Sequence, residues 1–253
     1  MHIFTFQNRF IMLNRFILFS IIGIICVLSY SGCKKDEVKG EPLPGTTNKA
    51  CSSMPKVEYQ GMTYNTIQIG TQCWMRENLN VGEFVASSTT NSIHSDATND
   101  GVIEKYCYDN LVKNCIKYGG LYDWNEMMNY VDTEGTQGIC PGGWHIPSDR
   151  DYYELERWID SNVPNPDTTG WRGKDAGKNL KKGYTSGFDA LLGGYRYFDG
   201  TFILKEDAGY FWSSTETSAY HVLFRNLYTM YDQVYRNRYT VKESAFSVRC
   251  LKN

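Results

Sequence analysis

Cysteine content is the feature that most constrains how this chain can fold. Two of the eight cysteines, Cys26 and Cys33, fall in the N-terminal segment, and the other six are Cys51, Cys73, Cys107, Cys115, Cys140 and Cys250. An even number in an exported chain favours disulfides. Because no CxxC pair occurs, a zinc site is not indicated. We predict a local bond between Cys107 and Cys115. The other four cysteines allow three pairings, among which we favour a bond from Cys140 or from Cys73 to Cys250.

The first 32 residues predict export. They contain Arg9 and Arg15, no acidic residue, and an apolar run over residues 16–30 that is short for a membrane span. The ending Ser31-Gly32-Cys33 resembles a bacterial lipobox, which implies a lipid on Cys33 and a location at the outer membrane, on the cell surface. Residues 1–32 are then a signal peptide, and residues 33–50 are the lipidated cysteine with a flexible Gly- and Pro-containing tether. On this reading only the lipid contacts the membrane.

Composition beyond the signal peptide excludes several classes of protein. Removing the two arginines from 26 basic residues leaves 24 against 28 acidic residues, a formal charge of −4. This balance does not suit a nucleic-acid-binding protein, which needs a positive excess to attract phosphate. A content of 42% hydrophobic and 15% aromatic residues excludes a disordered chain. Glycans or proteins are therefore the expected partners.

Local patterns predict an α+β fold. Residues 57–69 form a predicted hairpin with a turn at Gln60-Gly61. Ser148 is a predicted N-cap for the clearest helix, with Tyr152, Leu155, Trp158 and Ile159 on one face, and a shorter helix is predicted over residues 124–130. Further strands are predicted at residues 210–213, 220–226, 233–235 and 245–251. Residues 84–102 lack periodicity, which predicts an irregular loop.

Six ordered strings resemble the Fibrobacter succinogenes major paralogous domain, which is known from lipoproteins of Bacteroidetes and Fibrobacteres. They are residues 64–70 (YNTIQIG), 72–80 (QCWMRENLN), 118–124 (YGGLYDW), 140–148 (CPGGWHIPS), 211–216 (FWSSTE) and 247–250 (SVRC). We therefore expect one domain over residues 51–253. Tryptophans inside these strings are expected in its core.

Two of these segments also resemble the formylglycine-generating type of C-type-lectin fold. They are residues 144–148 and 247–250. This resemblance implies a single C-type-lectin-like domain with mixed antiparallel sheets, one or two helices and long irregular loops, stapled by disulfides. Its terminal strands would meet in one sheet, and its loops would present a binding face.

No motif for catalysis or for a metal site stands out. Cys140 and His145 could be a nucleophile and a base, but an exported cysteine in an even set is more simply a disulfide partner. Glu154 and Glu156 lie two apart on the predicted helix, so their carboxylates cannot face one another. The sequence therefore predicts a non-catalytic protein without a cofactor or metal. Loop oxygens of Asp and Asn would allow a structural calcium, without any spacing that selects its ligands.

Tyrosine and arginine interleave in the late part of the chain, and this pattern marks the predicted ligand-binding residues. They are Tyr228, Tyr231, Tyr235, Arg225 and Arg236. Tyrosine offers a flat apolar ring with a hydroxyl, which suits sugar stacking and protein contacts, and arginine is enriched at interfaces. We expect a cell-surface binding or adhesion module for carbohydrate or protein ligands. The alternatives are a structural or tip subunit of a surface assembly and, less favoured, an enzyme that acts on polysaccharide.

Overall fold

The computed structural model describes residues 49–89, 97–238 and 240–253. The predicted signal peptide and Cys33 lie outside the described residues, as does the tether up to residue 48. The strands are β1 (Lys56–Tyr59), β2 (Met62–Ile69), β3 (Gln72–Met75), β4 (Glu83–Phe84), β5 (Glu104–Lys105), β6 (Leu121–Asp123), β7 (Trp144–His145), β8 (Gly170–Arg172), β9 (Gly193–Arg196), β10 (Phe202–Lys205), β11 (Ala208–Ser218), β12 (His221–Tyr228), β13 (Val234–Asn237), β14 (Ala245–Ser247) and β15 (Leu251–Lys252).

In the part of the chain that the structure describes, helices are few and short. They are a 3-10 turn (Tyr108–Asn110), α1 (Val112–Tyr118), α2 (Trp124–Met127), α3 (Asp149–Ile159) and α4 (Ala176–Leu180). Among the described residues, none of the helices has the length and apolar character needed to cross a membrane. Mixed sheets with few helices agree with the predicted α+β class.

The predicted hairpin is formed by β1 and β2, which pair antiparallel with Tyr59 opposite Met62. Gln60 and Gly61 both have positive φ, 46° and 74°. Positive φ at both central residues is characteristic of a type I′ turn, whose twist matches that of the flanking strands.

Helix α3 begins where the sequence predicts, because its first turn is capped. The Ser148 hydroxyl accepts the Asp151 N–H at 3.2 Å, and the Asp151 carboxylate accepts the Ser148 N–H at 2.8 Å. Trp158 was expected on the buried face but is 42% exposed. Successive residues turn by about 100°, so Trp158 falls on the flank of the helix and Glu156 lies on the buried face instead.

Helix α2 is shorter than predicted. It ends at Met127, and Asn129 and Tyr130 adopt positive φ values of 52° and 56°. Two consecutive left-handed residues cannot continue a right-handed helix.

The described residues form three sheets. The first has the strand order β1-β2-β3-β15-β7, so the first and last strands of the described chain share one sheet. The second runs β10-β9-β14-β11-β12-β13-β8, with β6 paired to β14. Strands β4 and β5, at the two ends of the predicted irregular loop, form a small parallel pair. The predicted strand over residues 245–251 is therefore wrong as one element, since β14 belongs to the second sheet and β15 to the first.

Buried tryptophans and disulfides hold these layers together. Trp74, Trp124, Trp144 and Trp212 are at most 1% exposed and lie in the two largest apolar clusters, as expected. The structure pairs Cys51 with Cys73, Cys107 with Cys115, and Cys140 with Cys250. The last bond joins the segments that lead into β7 and β15, which are hydrogen-bonded neighbours.

Candidate functional site

Strands β12, β13 and β8 bring the predicted ligand-binding residues together at one edge of the second sheet. Arg225 pairs with Arg236, and Asn226 pairs with Tyr235, which in turn pairs with Trp171 on β8. Successive side chains along a strand point to opposite faces. The arginines and the aromatic residues that interleave in the sequence therefore lie on opposite faces of these three strands.

The first face carries the buried charge cluster, which we define as Asp149, Glu156, Arg172, Arg225 and Arg236. Arg225 donates from Nη1 to Asp149 Oδ1 at 2.6 Å and is also paired with Glu156. Arg236 Nη2 lies 2.8 Å from Asp149 Oδ2, and Arg172 Nε lies 2.8 Å from Glu156 Oε2. All five residues are at most 8% exposed. The cluster fixes helix α3 to the sheet.

The neighbouring arginines determine the pKa of Asp149 in this cluster. Burial alone would raise the pKa of Asp149, but the charges and hydrogen bonds of Arg225 and Arg236 outweigh burial and hold that pKa below its usual value of 3.8. The expectation that Arg225 and Arg236 share an exposed surface with the tyrosines is therefore corrected. Their guanidinium groups are committed to carboxylates of α3 on the buried face.

The second face carries the aromatic patch, which we define as Trp171, Tyr228, Tyr231 and Tyr235. The ring of Trp171 lies 4.1 Å from that of Tyr231, 4.9 Å from that of Tyr235 and 5.7 Å from that of Tyr228, measured between centroids. Trp171 is 36% exposed and Tyr231 is 45% exposed. The structure thus brings the three predicted tyrosines together around a tryptophan that is open to solvent.

The loop between β12 and β13 is held in place by hydrogen bonds from helix α4 and from Lys181, which follows that helix. Lys181 is buried, and its ammonium group donates to the carbonyl oxygens of Tyr228 and Tyr231, both at 2.9 Å. Burial lowers the pKa of Lys181. The Lys178 N–H donates to the Asp232 carbonyl at 2.8 Å. These bonds hold the backbone that carries Tyr228 and Tyr231 in place, so a ligand meets a preorganised surface.

A glycine allows helix α4 to approach this loop. A Cβ atom on Gly177 would lie 2.0 Å from the Gln233 carbonyl oxygen, far closer than any side chain tolerates. The small residue therefore supports the position of the loop.

Trp171 was missed by reasoning from the sequence, because β8 is three residues long and pairs with a strand about sixty residues later. One sequence signal was nevertheless present. Trp171-Arg172 repeats the aromatic–arginine order of Tyr235-Arg236. In both pairs the aromatic residue lies on the patch face and the arginine in the buried charge cluster.

The other candidates from the sequence take part in structural contacts. Cys140 is in a disulfide, and His145 lies between Asn253 Oδ1, 2.7 Å from Nδ1, and Asp151 Oδ2, 3.5 Å from Nε2. The hydrogen bond that the ring donates to the Asp151 carboxylate is the main cause of a raised pKa for His145. Within residues 49–89, 97–238 and 240–253, no group of three His, Cys, Asp or Glu residues is placed to hold a metal ion.

Fold and site together define an α+β domain with mixed sheets, three disulfides and an exposed aromatic patch. The family model described as the Fibrobacter succinogenes major domain matches residues 67–252. The chain belongs to this family, as its sequence strings predict. Searches of curated proteins and of solved structures gave no match.

Proposed function

We propose that the protein is a cell-surface lipoprotein whose domain is a non-catalytic binding or adhesion module for glycans. The observation that carries this proposal is the aromatic patch, because it is exposed, built from four rings and held by buried hydrogen bonds. Sugar rings present faces of C–H groups that stack on aromatic rings, while tyrosine hydroxyls hydrogen-bond to sugar hydroxyls. A binding role without catalysis is supported by the use of Cys140 and His145 in structural contacts.

Glycan is favoured over a charged ligand because Arg172, Arg225 and Arg236 lie on the opposite face, where they are paired with carboxylates of α3. The patch itself consists of neutral side chains. Met230, in the loop that also carries Tyr231, is an apolar residue that is 89% exposed. A protein ligand would use the same surface, and it is the alternative outcome of the test.

The test is a glycan array probed with the full mature chain, with calcium and with a chelator. We expect reproducible binding that the chelator does not reduce, because the rings of the patch supply no metal ligands. Retained fold and intact disulfides are checked by near-ultraviolet circular dichroism and mass spectrometry. A blank array with folded protein would contradict glycan binding and direct the search to a protein partner.

Surface anchoring forms a separate part of the proposal and rests on the lipobox at Cys33. We expect labelled palmitate to be incorporated into the wild-type chain and not into Cys33→Ser. We also expect protease added to intact cells to cleave the wild-type protein. Protection of the chain in intact cells would contradict a surface location.

We also infer a C-type-lectin-like arrangement of the sheets. It is supported by β15, which returns to pair with β3 so that the terminal strands share one sheet. An experimental structure that superimposes on known C-type-lectin folds would support this inference, and one that does not would overturn it.

A further inference from the structure

The aromatic patch continues across the second sheet toward its other edge. The Tyr228 hydroxyl lies 2.8 Å from that of Tyr210, and the Tyr210 ring lies 4.2 Å from the Tyr195 ring. Tyr195 contacts Tyr197 at 6.3 Å, and Tyr197 contacts Phe198 at 4.1 Å. We call the patch together with these four further residues the aromatic band.

Strand register explains why these rings share one face. Trp171, Tyr235, Asn226 and Tyr210 occupy one cross-strand row. The pairing of Gly209 with Gly194 then places Tyr195 beside Tyr210. The path from β8 to β9 passes through β13, β12 and β11 and so takes four steps between paired strands. At the usual strand spacing these four steps cover roughly 19 Å. The band is therefore long enough for several sugar rings.

Exposure is greatest at the two ends of the band. Trp171 is 36% exposed at one end and Tyr197 is 37% exposed at the other. Tyr210, between them, is 7% exposed. Tyr210 belongs to an apolar core cluster, and its hydroxyl is bonded to that of Tyr228. The exposed rings therefore lie at the two ends of the band, where a long chain can stack on both.

The side chains of the band are all neutral, and the arginines that alternate with them, Arg172, Arg225 and Arg236, lie on the opposite face. Acidic polysaccharides need cationic partners, so the band favours a neutral chain. We propose that the band binds a linear, neutral polysaccharide along its length and contacts it at both ends. This inference rests on the proposed function and names its ligand class.

Length dependence of binding is the test. Isothermal titration of the full mature chain uses ladders from disaccharide to hexasaccharide of β-1,4-linked glucose, mannose, xylose and N-acetylglucosamine. In at least one ladder we expect the affinity of the protein to rise about tenfold from the disaccharide to the hexasaccharide. Tyr197→Ala should remove that gain and leave the affinity for the disaccharide unchanged, and Tyr197→Phe should retain the gain because it keeps the ring. Trp171→Ala should weaken both short and long chains.

Tyr220 offers a matched control, because it is 75% exposed and lies outside the band in the turn between β11 and β12. Tyr220→Ala should leave every affinity unchanged. The band proposal is overturned if affinity does not change with length, or if Tyr197→Ala binds the hexasaccharide as the wild type does. If Trp171→Ala still weakens binding in that case, glycan binding at the patch stands without the band. If no ladder binds, the band proposal fails, and the glycan array alone decides the proposed function.

Discussion

Strands β8, β12 and β13 present two faces of opposite character. One face carries the buried charge cluster, in which Arg172, Arg225 and Arg236 meet carboxylates of α3. The other carries the aromatic patch, which is open to solvent. Alternate residues of the same strands form the two faces, so neighbours in sequence have unrelated roles. One face fixes the scaffold and thereby leaves the other face rigid and available for binding.

Breaking the charged face should give the largest loss of stability. Glu156 is fully buried and contacts both Arg172 and Arg225, so Glu156→Gln removes the carboxylate paired with Arg172 and leaves Arg225 with Asp149 alone. We expect a loss of about 3–5 kcal/mol in the free energy of unfolding, measured with urea. The control is Glu154→Gln on the same helix, where the pair with Arg150 is exposed and contributes less than about 0.5 kcal/mol. Equal losses in the two variants would contradict the assignment of the cluster.

Acid should weaken the charged face selectively. The pKa of Asp149 is lowered in the folded state, so its contribution to stability is complete above the unfolded value near 3.8 and is lost as pH falls below it. We expect the free energy of unfolding of the wild type to fall more steeply between pH 5 and about pH 2 than that of Asp149→Asn. Parallel pH profiles for the two proteins would show that Asp149 does not carry this effect.

Loosening the loop that carries Tyr231 should affect the aromatic face and leave the charged face intact. Lys181→Met removes the hydrogen bonds to the carbonyls of Tyr228 and Tyr231. We expect a loss of about 1.5–3 kcal/mol in stability and a several-fold weaker affinity for the strongest glycan of the array. The exposed neighbour Lys182 provides the control, and Lys182→Met should change neither quantity. Unaltered affinity in Lys181→Met would contradict preorganisation of the patch.

Removing the central ring should have the smallest effect on stability. Trp171 is partly exposed on the edge strand β8, so Trp171→Ala should cost about 1–2 kcal/mol through its lost ring contacts. Thermal and urea unfolding measure this cost. A loss as large as that of Glu156→Gln would show that Trp171 serves the core and not a surface.

Features that depend on nearby residues could be predicted from the sequence. The start of α3 follows from Ser148 and Asp151, three residues apart, and the β1–β2 turn follows from Gln60-Gly61. Features that depend on distant residues could not. The burial of Arg225 and Arg236 depends on Asp149, which is more than seventy residues away in the sequence.

The patch was predicted in part for the same reason. Tyr228, Tyr231 and Tyr235 lie close in sequence and were identified together. Trp171 joins them only through the pairing of β8 with β13, which no local pattern reveals. The division of residues 245–251 between two sheets likewise depends on partners elsewhere in the chain.

The most direct test of glycan binding at the aromatic patch compares two exposed tryptophans. Trp171 lies in the patch, whereas Trp158 on α3 is 42% exposed and lies against Gly70, outside the patch. Affinity for the strongest glycan of the array is measured with Trp171→Ala and with Trp158→Ala in the full mature chain. We predict a loss of about tenfold or more for Trp171→Ala and wild-type affinity for Trp158→Ala. Wild-type affinity in a folded Trp171→Ala protein would contradict the assignment of the aromatic face as the binding surface.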